Sequence, residues 1–490
     1  MLPALLVNTA VLVLGVSAGT LLLGVPLAWL VARCEFPGRR WLDWALMLPF
    51  ALPPYVLAFV FLGLLDFAGP VQGALRALFD LPPAWALELR NGFGVAVVMT
   101  LVFYPYVYML ARVSFLGQGA SAYEAARVLG LGPWRAFWRV SLPMARPGIV
   151  AGLSLALMET LADFGAVAVF NYDTFTTAIY KAWFGFFDLH GAAQLASVLL
   201  LLVFAALLAE QRVRSRARHV ESSRSASLRI PLRGARGVAA ALFAGSVFAL
   251  AFAMPVAQLA AWAWETRTQL DGRYLDLLRH TLILGGLAAL CTVAGAFVLA
   301  YARRHHGDGF TRIGVRIATL GYALPGSVLA VGVMLSLSWI DDRLAGLWTL
   351  LSGGNLQWVL AGGLPGLLLA YFVRFQAVAF GPVNAALARI RPSLREAARC
   401  LGATPREVVR RIYVPLLRPG LLTAALLVLV DVMKEMPATL LLRPFGWDTL
   451  AVRIYELTSE GEWERAAAPA VALVAAGLVP VILLVRRSGR

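Results

Sequence analysis

Eleven apolar runs, each about long enough to cross a bilayer, constrain this chain of 490 residues before any motif is read. They lie near 5–31, 44–66, 92–114, 147–171, 191–210, 237–262, 279–302, 314–340, 358–380, 419–442 and 466–486. A helix rises about 1.5 Å per residue, so roughly 20 apolar residues match a hydrocarbon layer about 30 Å thick. Within that layer each backbone N–H and C=O needs a partner inside the protein, and helices supply one for runs of this length. The expected fold class is an all-α polytopic membrane protein with about 11 transmembrane helices. At 60% hydrophobic residues and a mean hydropathy of +0.75, a soluble enzyme, a disordered chain and a secreted disulfide scaffold are excluded. The first run is long and has no basic segment before it, so it reads as a span and not as a signal peptide.

Charge then orients the spans. Loops 32–43, 115–146, 211–236, 303–316 and 381–418, with the C-terminal tail, carry 30 Arg, whereas the loops on the other side carry 10 Lys or Arg. The positive-inside bias places the first set in the cytoplasm, with the C-terminus inside and the N-terminus outside. The net charge of +16 therefore reflects cytoplasmic loops. No nucleic-acid partner is expected, because the Arg-rich stretch 211–236 lacks interleaved aromatics and reads as a connector held near anionic lipid. Cys34, Cys291 and Cys400 stand far apart and form no CxxC pair. The adjacent His305 and His306 sit beside Arg303 and Arg304 and read as a solvated loop. Neither Lys181 nor Lys434 follows a glycine, which excludes a Walker A nucleotide loop. No catalytic residue, metal ligand or bound cofactor is expected.

The chain also repeats itself at an offset of 272 residues. Thr9 matches Thr281, Leu52-Pro53 matches Leu324-Pro325, and Leu57-Ala58 matches Leu329-Ala330. The strongest match sets EAARVLGLGPWRAFWRVSLPMARPG (124–148) against EAARCLGATPREVVRRIYVPLLRPG (396–420), identical at 12 of 25 positions. Six spans separate equivalent points, so the halves share one orientation, a parallel repeat. The best-matched segments are cytoplasmic loops, where sequence answers to more than lipid. Ser121 with Glu124, and Ser393 with Glu396, fit capping boxes that open short helices. Gly130 and Gly402 stand where a left-handed residue stops them. Thr404 and Glu407 form a further capping box around Pro405, with Pro133 at the equivalent place. Pro143 and Pro415 are expected to break the chain before it re-enters the membrane.

The duplicated E-A-A-R-x-L-G, between one span and the next, resembles the EAA loop of binding-protein-dependent ABC importer permeases. That resemblance implies a type I ABC importer permease fold with two parallel homologous halves in one chain. It implies that Glu124, Ala125, Ala126 and Gly130, and Glu396, Ala397, Ala398 and Gly402, form coupling helices that dock on a separate ABC ATPase dimer. The segments 158–180 and 430–457 resemble the iron(III) permeases of this class. They imply a multi-pass protein of the cell inner membrane that takes ferric iron from an extracytoplasmic iron-binding protein. Thiamine and aminoethylphosphonate permeases share the architecture and are the alternatives. A secondary transporter could also carry a parallel repeat, but it has no need of two such loops. The halves are placed at 1–210, with coupling loop 121–146, and at 237–490, with coupling loop 393–418; 211–236 is the basic linker.

Ionisable residues at membrane depth are functional candidates. Glu159 and Asp163 are four apart and fall on one helix face, as do their repeat mates Asp431 and Glu435. The four are translocation-path candidates, an acidic ring that would attract cationic cargo. The preferred alternative is a set of interhelical ion pairs that position the core helices. Lys434 points away from Glu435 and is expected to reach an acid on another helix. Arg112 and Arg374 are read as snorkelling to the cytoplasmic interface, and the Trp and Tyr near span ends as interfacial belts. The register leaves the first half one span short, which favours a start upstream of Met1 over a true eleven-span protein; translating the upstream DNA distinguishes the two. Without a Walker loop, the purified chain is expected to hydrolyse no ATP in a phosphate-release assay.

Overall fold

The computed structural model describes residues 2–82, 86, 88–118, 120–215, 229–269, 272–352 and 360–488. Its long helices are α1 (Leu2–Arg33), α2 (Gly92–Gly117), α3 (Leu142–Ala162), α4 (Leu189–Ser215), α5 (Ala235–Glu265, with a wide turn at Ala249–Ala253), α6 (Arg273–His305), α7 (Gly326–Ser352), α8 (Leu364–Ala388), α9 (Val414–Lys434) and α10 (Trp463–Ser488). Among the described residues nine helical segments are long and apolar enough to cross a membrane: α1 to α6, α8 and α9, and Pro54–Phe79. The tenth candidate is a pair, Gly309–Ala323 and Gly326–Leu351, bent by 118° at Leu324-Pro325. The eleventh expected run, 466–486, lies in α10.

Four runs do not form the single straight spans their hydropathy suggests. Run 44–66 is divided into Arg39–Ala45, a tight turn at Leu48–Ala51 and Pro54–Leu65. Its repeat mate, 314–340, is divided by the bend before α7. Pro49, Pro53 and Pro54 remove backbone donors in the first case, and Pro325 in the second. Runs 147–171 and 419–442 are interrupted near their ends, at Asp163 and Glu435.

Two compact units organise the chain. One comprises residues 1–181, 197–269 and 455–490; the other comprises 182–196 and 270–454. In the first, α1, α2 and α3 pack side by side. In the second, α6, α8 and α9 do the same. Small residues permit the contact, as expected where lipid offers no hydrophobic drive between helices. A Cβ on Gly19 of α1 would collide with the Thr100 side chain of α2, and one on Gly152 of α3 would lie 2.7 Å from the backbone of Tyr106 and Val107.

The packing units cut across the contiguous halves 1–210 and 237–490. α5 and α10 belong to the second half by sequence, yet they pack within the first unit. The Trp41 ring stands edge-on to Phe248 at 4.8 Å, and a Cβ on Gly63 would lie 2.7 Å from Trp262 and 3.4 Å from Trp463. A short parallel bridge pairs Cys34 with Ile230 and Glu35 with Pro231, which ties the end of the basic linker to the first loop.

Gly152→Leu is expected to destabilise the detergent-solubilised protein by about 1–3 kcal/mol, the cost of overpacking. Gly286→Leu, at a position with open space, is expected to leave the thermal unfolding midpoint unchanged.

Candidate functional site

Two short helical hairpins follow α2 and α8, and they obey the repeat residue by residue. The first runs through Ala120–Val128, Gly130 and Pro133–Ala136; the second runs through Pro392–Cys400, Gly402 and Pro405–Val408. Each bound is displaced by 272. The glycines take φ of +85° and +83°. Around them the backbone closes two identical Schellman turns. Gly130 N–H donates to Arg127 O (3.1 Å) and Leu131 N–H to Ala126 O (3.1 Å); Gly402 N–H donates to Arg399 O (3.0 Å) and Ala403 N–H to Ala398 O (3.0 Å). The second alanine of each E-A-A therefore supplies the carbonyl that locks the turn.

The expected N-terminal caps need correction. The second helix begins at Pro392 with Arg391 as N-cap and no side-chain cap bond, so Ser393 lies inside it. Proline's fixed φ makes Pro392 the better starter. The side chains of Ser121 and Glu124 lie outside the described residues, and Glu396 is exposed. The capping box at Thr404 forms: Thr404 N–H donates to Glu407 Oε2 (2.9 Å), and Glu407 N–H donates to Thr404 Oγ1 (3.3 Å). Sequence reasoning overlooked the apolar residue before each glycine. Leu129 and Leu401 are repeat mates, 83% and 88% exposed, and each caps a hairpin tip. The L-G dipeptide was their available signal.

Pro143 and Pro415 do not break the chain, contrary to expectation. A five-residue wide turn, Phe137–Ser141 in one half and Val409–Tyr413 in the other, precedes each. A proline has no N–H to give the carbonyl four residues back, and the wider i→i+5 turn absorbs the mismatch. One continuous helix thus joins each glycine hairpin to the interior, over Trp134–Ala162 and Pro405–Lys434.

Both levers end at an acid. Asp163 leaves the helix with ψ of 132° and Glu435 with ψ of 110°. Each carboxylate then caps the short helix that follows. Asp163 Oδ2 accepts from Ala166 N–H (3.0 Å) and Val167 N–H (3.2 Å), opening Gly165–Val169. Glu435 Oε1 accepts from Ala438 N–H (3.1 Å), opening Pro437–Leu442. The expectation that each acid pair lies on one helix face is therefore corrected. Glu159 and Asp431 stay on α3 and α9, whereas Asp163 and Glu435 turn away at the break to satisfy backbone donors.

Beyond this shared geometry the two breaks differ in chemistry. Arg374 Nε lies 3.0 Å from Glu435 Oε2, and Arg374 Nη1 donates to Leu324 O (2.7 Å). Arg374 is 8% exposed and sits mid-way along α8. The snorkelling expectation is overturned, because the break supplies an anion and a bare carbonyl within reach. Tyr371 and Thr439 join the cluster through their hydroxyls at 2.6 Å. The mates of Arg374, Tyr371 and Thr439 in the first half are Val102, Met99 and Val167. There the break is held by Asp163 and by Thr176 Oγ1, which donates to Asp163 O (2.7 Å). Arg112 does not snorkel either: its Nη2 donates to Asp43 Oδ2 at 2.7 Å. Among the described residues no three His, Cys, Asp or Glu side chains gather as a metal site.

With this geometry in place, comparison with known proteins is informative. The sequence profile of the family described as binding-protein-dependent transport system inner membrane component matches residues 24–218 and again 282–489. An Fe(3+)-transport system permease protein of Haemophilus influenzae is 27% identical over 98% of this chain and 89% of its own. A molybdenum transport system permease protein of Escherichia coli K12 is 33% identical over 38% of this chain and 81% of its own. A putative 2-aminoethylphosphonate transport system permease protein of Salmonella typhimurium is 31% identical over 45% of this chain and 77% of its own. A crystal structure of a bacterial alginate ABC transporter, bound to a pentasaccharide-loaded periplasmic protein, aligns at 17% identity and a TM-score of 0.40, over 50% of this chain and 91% of that one.

The buried pair predicts a double-mutant signature. Arg374→Met leaves Glu435 without its cation and is expected to cost about 3–5 kcal/mol. Arg374→Met combined with Glu435→Met is expected to recover most of that loss in thermal unfolding. Val102→Ala, at the equivalent place in the first half, is expected to cost only its packing.

Proposed function

This chain belongs to the family of binding-protein-dependent transport system inner membrane components and has the type I ABC importer permease fold; from that premise we propose that it carries ferric iron into the cytoplasm, driven by a separate ABC ATPase dimer and fed by an extracytoplasmic iron-binding protein. The observation that carries the coupling role is the duplicated hairpin, with identical bounds, turn and lever in both halves. Glu124, Ala125, Ala126 and Gly130, and Glu396, Ala397, Ala398 and Gly402, form the two docking elements, with Leu129 and Leu401 as apolar anchors at their tips. The C-terminus lies on the same, cytoplasmic, side. ATP closes the ATPase dimer and draws the hairpins together. A continuous helix of about 30 residues, roughly 45 Å, carries that displacement from each glycine turn to the break at Asp163 or Glu435.

Iron is favoured as cargo by the Fe(3+) permease, which is similar to this chain over both halves, whereas the molybdenum and phosphonate relatives named above match less than half of it. The chain performs no covalent chemistry in this reading, and it holds no cofactor. Glu159, Asp163 and Asp431 are the translocation-path candidates of this reading. Glu435, neutralised by Arg374, acts as a positioning residue.

Proteoliposomes containing the chain, its ATPase and its binding protein are expected to accumulate radiolabelled ferric iron only with internal ATP. Uptake of molybdate or aminoethylphosphonate in place of iron would overturn the cargo and leave the importer standing. A β-branched residue at φ near +85° costs on the order of 1–3 kcal/mol. Gly130→Val with Gly402→Val is therefore expected to cut ATPase co-purification and uptake at least tenfold while membrane expression persists. Wild-type uptake in that variant would refute the coupling assignment.

A further inference from the structure

A small cavity of about 180 Å³ lies behind the second hairpin, lined by Tyr301, His305, His306, Arg395, Arg399 and Val408, with Pro405 at its edge. Four of these side chains are basic, and no acid lines the space. Arg395 comes from the helix Pro392–Cys400 and is half-buried; Arg399, one turn on, is exposed. Among the described residues neither guanidinium has a hydrogen bond or an acidic partner. Neighbouring acids are engaged elsewhere. Glu407 is held by Thr404 and by Arg411. A hydrogen bond from the Thr311 hydroxyl, with a smaller contribution from nearby His306, holds the Asp308 carboxyl below the usual range.

The wall of the cavity is fixed. His305 Nδ1 pairs with Tyr301 O at 2.9 Å, and its Nε2 faces Tyr413 OH at 3.4 Å. The Tyr301 ring stacks on the imidazole at 4.0 Å. The assignable donors are therefore Arg395 and Arg399, with His306, which lies within electrostatic reach of Asp308, beside them in the lining. The Arg395 and Arg399 guanidiniums, one helical turn apart and without an acidic partner, repel, so such a site is stabilised by an acceptor-rich ligand. Arg presents planar forks that match tetrahedral oxyanions, especially phosphate.

The repeat supplies an internal control. At the places of Tyr301 and Arg395 the first half has Trp29 and Tyr123, whose rings stand 5.7 Å apart, with Phe137 at 4.8 Å from Trp29. The mate of Arg399 is Arg127, whose Nη1 donates to Leu131 O (2.8 Å), and the mate of His305 is Arg33, whose Nη2 donates to Gln118 O (2.8 Å). One hairpin thus rests on an aromatic plug with its cations committed to backbone. The other rests on a basic cavity. The hairpin fold therefore does not require the cavity.

We propose that this cavity binds a phosphate-class oxyanion, supplied either as free inorganic phosphate or as the headgroup of an anionic phospholipid. Occupancy would brace the second hairpin alone and make the two coupling elements chemically unequal. The site requires neither the cargo nor the ATPase, so it stands or falls apart from the transport reading.

The test uses the full chain in phosphatidylcholine nanodiscs, titrated calorimetrically with inorganic phosphate at constant ionic strength. Saturable binding is expected, weakened at least tenfold by Arg395→Gln with Arg399→Gln and unchanged by Arg127→Gln. In phosphatidylglycerol discs, suppression of the phosphate titration, together with one phosphatidylglycerol retained in native mass spectrometry by wild type but not by the double variant, assigns the headgroup as the source. An equal titration in both discs assigns the free anion. Should the double variant unfold, the single variant His306→Gln, at an exposed position, is expected to weaken binding severalfold. Absence of both saturable phosphate binding and retained lipid overturns the proposal, as does binding indifferent to these variants.

Discussion

A helix interrupted inside a hydrocarbon layer exposes backbone N–H groups that water cannot reach, and protein must satisfy them. This constraint shapes both interior ends of the molecule. Asp163 and Glu435 leave their helices and immediately cap the next ones. A carboxylate suits the task because it accepts several bonds and carries charge toward the positive end of the new helix. In the second half that charge brings a further requirement. Arg374 supplies the counter-charge, and its remaining donor takes up Leu324 O beside the 118° bend. One ion pair therefore stabilises two interruptions at once.

The same economy appears at the other end of each lever. Pro143 and Pro415 would disrupt a regular helix, but a wide turn placed before each lets the helix continue. A rigid element then runs from a glycine hairpin at the surface to a capped break in the interior. In the proposed coupling such rigidity matters, because a displacement at the hairpin is carried to the interior along an uninterrupted helix.

The two halves share geometry more closely than chemistry. Helix bounds, positive-φ glycines, wide turns and breaks recur at one offset. Side chains around them do not. The second break has a buried Arg–Glu pair where the first has Val102 and Asp163, and the second hairpin rests on basic groups where the first rests on Trp29 and Phe137. Backbone conformation answers to local rules that both copies must obey. The surrounding side chains answer to each half's own partners, and these differ.

Much of this was legible from sequence, for local reasons. Apolar runs predicted the spans because lipid leaves a chain little alternative to helix. The repeat and the Gly130 and Gly402 turns were readable because a left-handed turn admits few residues. What sequence misjudged was decided by partners distant along the chain. Arg374 reads as a snorkelling residue near a span end, because its partner Glu435 lies 61 positions away in the chain. Asp163 looked like a residue on a helix face, since hydropathy does not record where a helix stops. Residues 237–262 and 466–486 followed the second half in sequence but pack with the first. An apolar helix reads the same whichever neighbours it meets, so only the tertiary structure could decide which ones these two would be.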